Sequence, residues 1–139
     1  MLLISGYGRD FPFDAVSRLW ERKFDAETLD KPVPLKKGVL SLLQHLERRE
    51  MKKAVVTSTI HAHALRRLTN AGILRFFRFV LGGDQISKSK PDPDIYLTAC
   101  QRIGEHPAEC LALEDSDTGV RSAFEAGLNV LQVPDSATW

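Results

Sequence analysis

Four short apolar runs, separated by stretches of helical period, do most to limit what this chain folds into. They are Ala54-Val55-Val56, Phe79-Val80-Leu81, Cys110-Leu111-Ala112-Leu113 and Asn129-Val130-Leu131-Gln132-Val133. Each is rich in Val or Leu and none alternates with polar residues, the pattern of strands covered on both faces of a parallel sheet. Between them lie three helix candidates with legible ends. One spans residues 63–71, with Leu65 and Leu68 on a common face. A second opens at Pro91-Asp92-Pro93-Asp94, with Asp92 as cap and Pro93 at the first helical position, and stops at Gly104. A third spans 118–126. Ala71-Gly72-Ile73 and Ala126-Gly127-Leu128 repeat one stop signal, a left-handed Gly followed by an apolar residue that folds back on the helix. Strand and helix in alternation predict an α/β domain with a mostly parallel sheet.

The first 50 residues read differently. Phe13, Val16, Leu19, Trp20 and Phe24 recur at helical spacing, with Arg18, Glu21, Arg22 and Lys23 between them. The connector Lys31-Pro32-Val33-Pro34 then precedes an amphipathic helix through Val39, Leu42, Leu43 and Leu46. No strand candidate stands out in this half. At 139 residues, 43% apolar and 27% charged, the chain predicts one globular core. Nineteen basic against 18 acidic side chains leave a net charge of +1, which gives no basis for a nucleic-acid or membrane-surface partner. No apolar run approaches the roughly 18 residues of a membrane span. Met1-Leu2-Leu3-Ile4 is shorter than the about 7–15 apolar residues of a signal core. Two cysteines, Cys100 and Cys110, make no disulfide framework and read as packing residues. A soluble, cytoplasmic, single-core protein is the expectation.

In an open parallel sheet, ligands bind beyond the carboxyl ends of the strands. Thr57, Ser58 and Thr59 follow the first run; Gly82, Gly83 and Asp84 follow the second. Ser87-Lys88-Ser89-Lys90-Pro91 leads into the second helix, and Glu114, Asp115, Ser116 and Asp117 follow the third run. Hydroxyls, lysines and paired carboxylates on one sheet edge suit a phosphate and Mg²⁺, a cation that needs only one or two protein carboxylates. Each cluster alone has a plainer explanation. Thr57-Ser58-Thr59 also suits a helix-capping group, Lys88 and Lys90 suit solvated loop lysines, and the acidic run suits a helix dipole. His61 and His63 stand two apart, which keeps them off a common helix face and argues against a metal pair.

Three stretches taken together resemble a known family. Val55-Val56-Thr57-Ser58-Thr59, Ser89-Lys90-Pro91-Asp92-Pro93-Asp94-Ile95-Tyr96 and Leu113-Glu114-Asp115-Ser116-Asp117-Thr118-Gly119-Val120 are similar to the second, third and fourth motifs of the haloacid dehalogenase superfamily. Its beta-phosphoglucomutase-like and phosphoglycolate-phosphatase-like hydrolases are the nearest in pattern. The resemblance implies a Rossmann-like core over residues 34–139 and part of a helical cap over 1–33. It implies a Mg²⁺-dependent phosphatase of small phosphorylated metabolites such as sugar phosphates, or a mutase on the same residues. Thr57 and Ser58 would hold the phosphoryl group, and Lys90 would neutralise its oxygens and assist transfer. Glu114 and Asp115 would ligate Mg²⁺, and His61 would touch substrate.

The family's first motif, a D-x-D after an N-terminal strand, has no counterpart near the start of this sequence. Asp10 and Asp14 are four apart with no strand before them, and Asp92 and Asp94 fall at a helix start. Only 56 residues precede Thr57, so the sequence is expected to begin inside the cap, with the aspartyl nucleophile in a missing N-terminal segment of the same polypeptide. It also ends soon after Val133-Pro134-Asp135, where relatives add a helix. In the family the missing strand lies between those at residues 54–57 and 111–114. Leaving it out strands buried backbone groups at about 1–3 kcal/mol each, against a net stability of about 5–15 kcal/mol. Taken alone, the chain is expected to be inactive. The competing expectation is a non-catalytic module that binds phosphate or a partner without turnover, or a truncated remnant. A dehalogenase acting on carbon is disfavoured by Lys90 and the Glu114-Asp115 pair.

Overall fold

The computed structural model describes residues 12–28, 31 and 34–134. Its elements in order are α1 (Phe13–Thr28), α2 (Val39–Arg48), β1 (Ala54–Val56), α3 (His61–Asn70), β2 (Phe79–Leu81), α4 (Asp94–Ile103), β3 (Leu111–Glu114), α5 (Asp117–Glu125) and β4 (Asn129–Gln132). Short 3-10 turns lie at Leu74–Phe76, Gly83–Gln85 and Pro107–Glu109. Every apolar run is thus a strand, the third shifted by one so that it ends on Glu114. None of the described helices is long and apolar enough to cross a membrane. Asp10, Pro32, Val33 and Asp135, and with them the cap-to-core boundary, lie outside the described residues.

Both strand pairings are parallel. β1 sets Ala54, Val55 and Val56 beside Phe79, Val80 and Leu81 of β2. β3 sets Leu111 and Leu113 beside Asn129 and Leu131 of β4. Among the described residues the two pairs do not hydrogen-bond to each other. They are joined instead by a helical layer, since α4 packs on β1 and on α5, and α5 packs on β3 and β4. The cluster that results contains Leu81, Ile95, Tyr96, Ala99, Ala112, Ala123 and Ala126, with Val56, Phe79 and Val130 against it. Burying an aliphatic side chain of the Ile95 or Leu81 kind contributes about 1.5–3 kcal/mol.

Two expectations are corrected here. The strands are not all covered on both faces: Leu111, Leu113 and Leu131 are exposed, while Ala112 is buried. The reason is that α5 packs over one face of β3 and β4, and no described element covers the other. Nor is there a single core. Leu43, Ile73 and Phe76 form a second cluster with Leu35, Val39 and Leu68, where α2 packs on the turn at Leu74–Phe76.

Helix ends follow the predicted chemistry with instructive shifts. Gly72 and Gly127 are left-handed, at φ 70° and 85°. The next residue folds back in each case: Ile73 N–H donates to Leu68 O and Leu128 N–H to Ala123 O, both at 3.1 Å. α4 begins at Asp94, one residue later than read, with Pro93 at the cap position; Asp92 Oδ1 still accepts from Asp94 N–H at 3.1 Å. α3 begins at His61, two residues earlier than the spacing predicts. Its capping group comes from elsewhere in the chain, as Asp84 Oδ1 accepts from His61 N–H at 2.7 Å.

Candidate functional site

The loops after β1 and β2 are stitched together by backbone. Thr57 N–H donates to Leu81 O and Gly83 N–H to Thr59 O, both at 3.0 Å. Thr57 Oγ1 accepts from Thr59 N–H at 3.1 Å, which is the local turn role open to such a residue. A hydroxyl that accepts there keeps its own hydrogen for another acceptor, such as a phosphate oxygen. Thr57 is half-buried, Ser58 beside it is exposed, and His61 is half-buried at the start of α3. The His61 Nδ1 atom is buried and has no hydrogen-bond partner among the described residues.

Lys88 and Lys90, two residues apart, take opposite roles. Lys88 is 64% exposed and lies 3.7 Å from both Asp92 and Asp94, a solvated surface arrangement. Lys90 is 7% exposed and pairs with the equally buried Glu114 at the end of β3. Its ammonium also donates to Val56 O at 3.4 Å and to the Tyr96 hydroxyl at 3.3 Å. The same ammonium lies 4.9 Å from the centroid of the Tyr96 ring. Tyr96 in turn donates its hydroxyl to Glu114 Oε1. Burial, then the Glu114 hydrogen bond and charge, raise the Tyr96 hydroxyl well above the ordinary tyrosine range, with Asp115 adding to the effect. Lys90 therefore spans the carboxyl ends of β1 and β3, with Thr57 next to one of its partners and Asp115 next to the other.

The acidic run divides into separate duties. Ser116 caps α5 by accepting from Gly119 N–H at 3.2 Å, and Asp117 lies in the first turn, accepting from Gln132 Nε2 at 3.1 Å. Glu114 Oε1 is taken by Lys90 and Tyr96, and Ser116 Oγ lies 3.5 Å from Oε2. A Cβ on Gly119 would overlap the Glu114 carboxylate, so only glycine leaves that carboxylate its place. Asp115 and Asp117 are both exposed, and of the two it is Asp117 that accepts from Gln132. Among the described residues no three His, Cys, Asp or Glu side chains converge on a metal position. One free carboxylate, with a buried one beside it, fits the modest protein share of Mg²⁺ coordination.

Tyr96 and Gly119 were given no role of their own in the site by the sequence, and Asp84 was placed at a strand end without its capping role. Tyr96 carried one signal: a tyrosine on the apolar side of a helix needs a partner for its hydroxyl. Asp84 carried its strand-end position but no sign that it would cap α3, and Gly119 carried no sign that it makes room for Glu114, because each acts on a residue brought near by folding.

Residues 12–133 match the family model described as haloacid dehalogenase-like hydrolase. A phosphorylated carbohydrates phosphatase of Thermotoga maritima is 36% identical over 91 residues, covering 66% of this chain and 42% of that protein. Protein CbbY of Rhodobacter capsulatus is 39% identical over 111 residues, covering 76% of this chain and 48% of that protein. The crystal structure of CbbY from Rhodobacter sphaeroides in complex with phosphate superposes with a TM-score of 0.81 at 27% identity, over 96% of this chain and 60% of that one. The chain spans about half the length of the curated relatives it matches.

Proposed function

The chain belongs to the haloacid dehalogenase-like hydrolase family, and from that premise we propose that it carries the phosphate-binding and cation-binding side of a phosphoryl-transfer site. The observation that carries this reading is the buried Lys90 ammonium, placed between the carboxyl ends of β1 and β3. A fixed positive charge at that position matches the charge spread over the equatorial oxygens of a transferring phosphoryl group. Thr57, and Ser58 beside it, would hold the phosphoryl oxygens through the Thr57 hydroxyl hydrogen and the Ser58 N–H. Asp115, with Glu114 behind it, would hold Mg²⁺, which would neutralise charge on the phosphate. The attacking carboxylate in this reading is an Asp from an upstream segment of the same polypeptide. His61, at the start of α3 after the Thr57 loop, would touch substrate. Small phosphorylated metabolites of the sugar-phosphate class are the proposed substrates, in line with the activity named for the similar Thermotoga protein.

The test is a pair of substitutions in the complete polypeptide. Lys90→Ala lowers turnover and weakens binding of a metallofluoride phosphate mimic; unaltered affinity demotes Lys90 to a structural residue. Asp115→Asn sharply raises the Mg²⁺ required for phosphatase activity, and an unchanged requirement removes it from the metal site.

A further inference from the structure

An ammonium has three N–H donors, and in this structure the Lys90 ammonium has three acceptors: Glu114 Oε1, the Tyr96 hydroxyl and Val56 O. None is spare for a phosphate. The Val56 carbonyl, at 3.4 Å, is the longest of the three contacts and belongs to the residue just before Thr57. It is the contact a phosphate at Thr57 would replace. The other two stay, and both involve Tyr96, which accepts from Lys90 and donates to the carboxylate that Lys90 pairs with. Tyr96 is 4% exposed, and its ring lies against the same ammonium. On the far side of Glu114, Gly119 leaves no room beyond that which the carboxylate fills.

We propose that Tyr96 is a positioning residue which fixes the direction of the third Lys90 donor, the one that meets phosphate. The proposal rests on the phosphate reading of Lys90 given above. Tyr96 itself touches neither phosphate nor cation and acts only through Lys90 and Glu114. Its hydroxyl and ring leave the ammonium one rotational state. Without the hydroxyl, the ammonium turns toward Glu114 and its third donor no longer points past Val56 toward the Thr57 loop.

The test uses Tyr96→Phe in this chain, which keeps the ring and removes only the hydroxyl. The first readout is the ¹⁵Nζ signal of Lys90, identified by its contact with the ring protons of residue 96. In the unsubstituted protein it exchanges slowly with water; in Tyr96→Phe exchange accelerates about tenfold or more, the usual worth of a hydrogen bond to a charged group, while Tm moves little. Equal exchange in the two proteins overturns the proposal. So does a Lys90 signal in the unsubstituted protein that exchanges as fast as that of exposed Lys88, a result that needs no variant. The second readout is a titration with inorganic phosphate. Tyr96→Phe binds about tenfold more weakly if the third donor is misdirected, and equal or tighter binding overturns the proposal. Failure of the unsubstituted protein to bind phosphate, with the Lys90 signal still responding to Tyr96→Phe, instead removes the phosphate reading and leaves the positioning of Lys90 standing.

Discussion

The two strand pairs have similar apolar sequences but different surroundings. β2 is buried along Val80 and Leu81, at 2% and 3% exposure, between α3 and the α4 layer. β3 alternates, with Ala112 buried against α5 and Leu113 50% exposed on the opposite face. An apolar run therefore shows that a strand is suited to two covered faces, whereas the covering itself depends on which other elements are present. An exposed row of Leu111, Leu113, Leu131 and Val133 is more apolar surface than a single scattered leucine, and rows of that kind mark contact faces. Lys90 belongs to neither pair and holds the carboxyl ends of both.

That contrast predicts a graded set of effects. Lys90→Met is the largest, because it leaves the Glu114 carboxylate buried without its cation; we expect a loss of about 3–5 kcal/mol in urea unfolding. A loss below about 1 kcal/mol would show that the two pairs are not held together there. Leu81→Ala in the covered pair costs about 2–5 kcal/mol, from lost burial and the cavity left behind. Leu113→Ala in the half-covered pair stays within about 0.5 kcal/mol, as surface changes do. Equal costs for these two leucines would mean that the outer face of β3 is covered in solution. Gly119→Ala pushes the new methyl against the Glu114 carboxylate and costs about 1–3 kcal/mol, with weaker phosphate binding as the second readout. A further effect is alkaline. Burial, and then the neighbouring Cys110 side chain, push the Cys100 thiol up to about 12. Its folded-state value lies above the unfolded one, so its contribution is complete below about pH 8.5 and is lost as pH rises toward 12. Tm should fall over that range, and Cys100→Ala should flatten the slope.

How much of this was legible in the sequence depended on whether the determinant was local. The stops at Gly72 and Gly127 were readable because the left-handed residue and the apolar residue after it are adjacent in the chain. The cap of α4 was readable at Asp92 for the same reason. The start of α3 was not, since its cap is Asp84, 23 residues away. Lys88 and Lys90 looked alike in sequence, and only folding buries one of them against Glu114 and leaves the other in water. The acidic run likewise gave four carboxylate or hydroxyl positions without saying which would cap, pair or remain free. The rule that ligands bind beyond the carboxyl ends of parallel strands supplied the place to look; the division of labour among Glu114, Asp115, Ser116 and Asp117 is a property of the folded loop.

The central claim is that phosphate binds where Lys90 spans the two strand pairs. Titrating inorganic phosphate, with and without Mg²⁺, into ¹⁵N-labelled protein and following backbone amides tests it most directly. The amides of Thr57, Ser58, Thr59 and Lys90 should shift with phosphate alone, and that of Asp115 on adding Mg²⁺. Shifts confined to the groove lined by Glu47, Arg48 and Arg75 beside α2, or no shifts at any concentration, would contradict it.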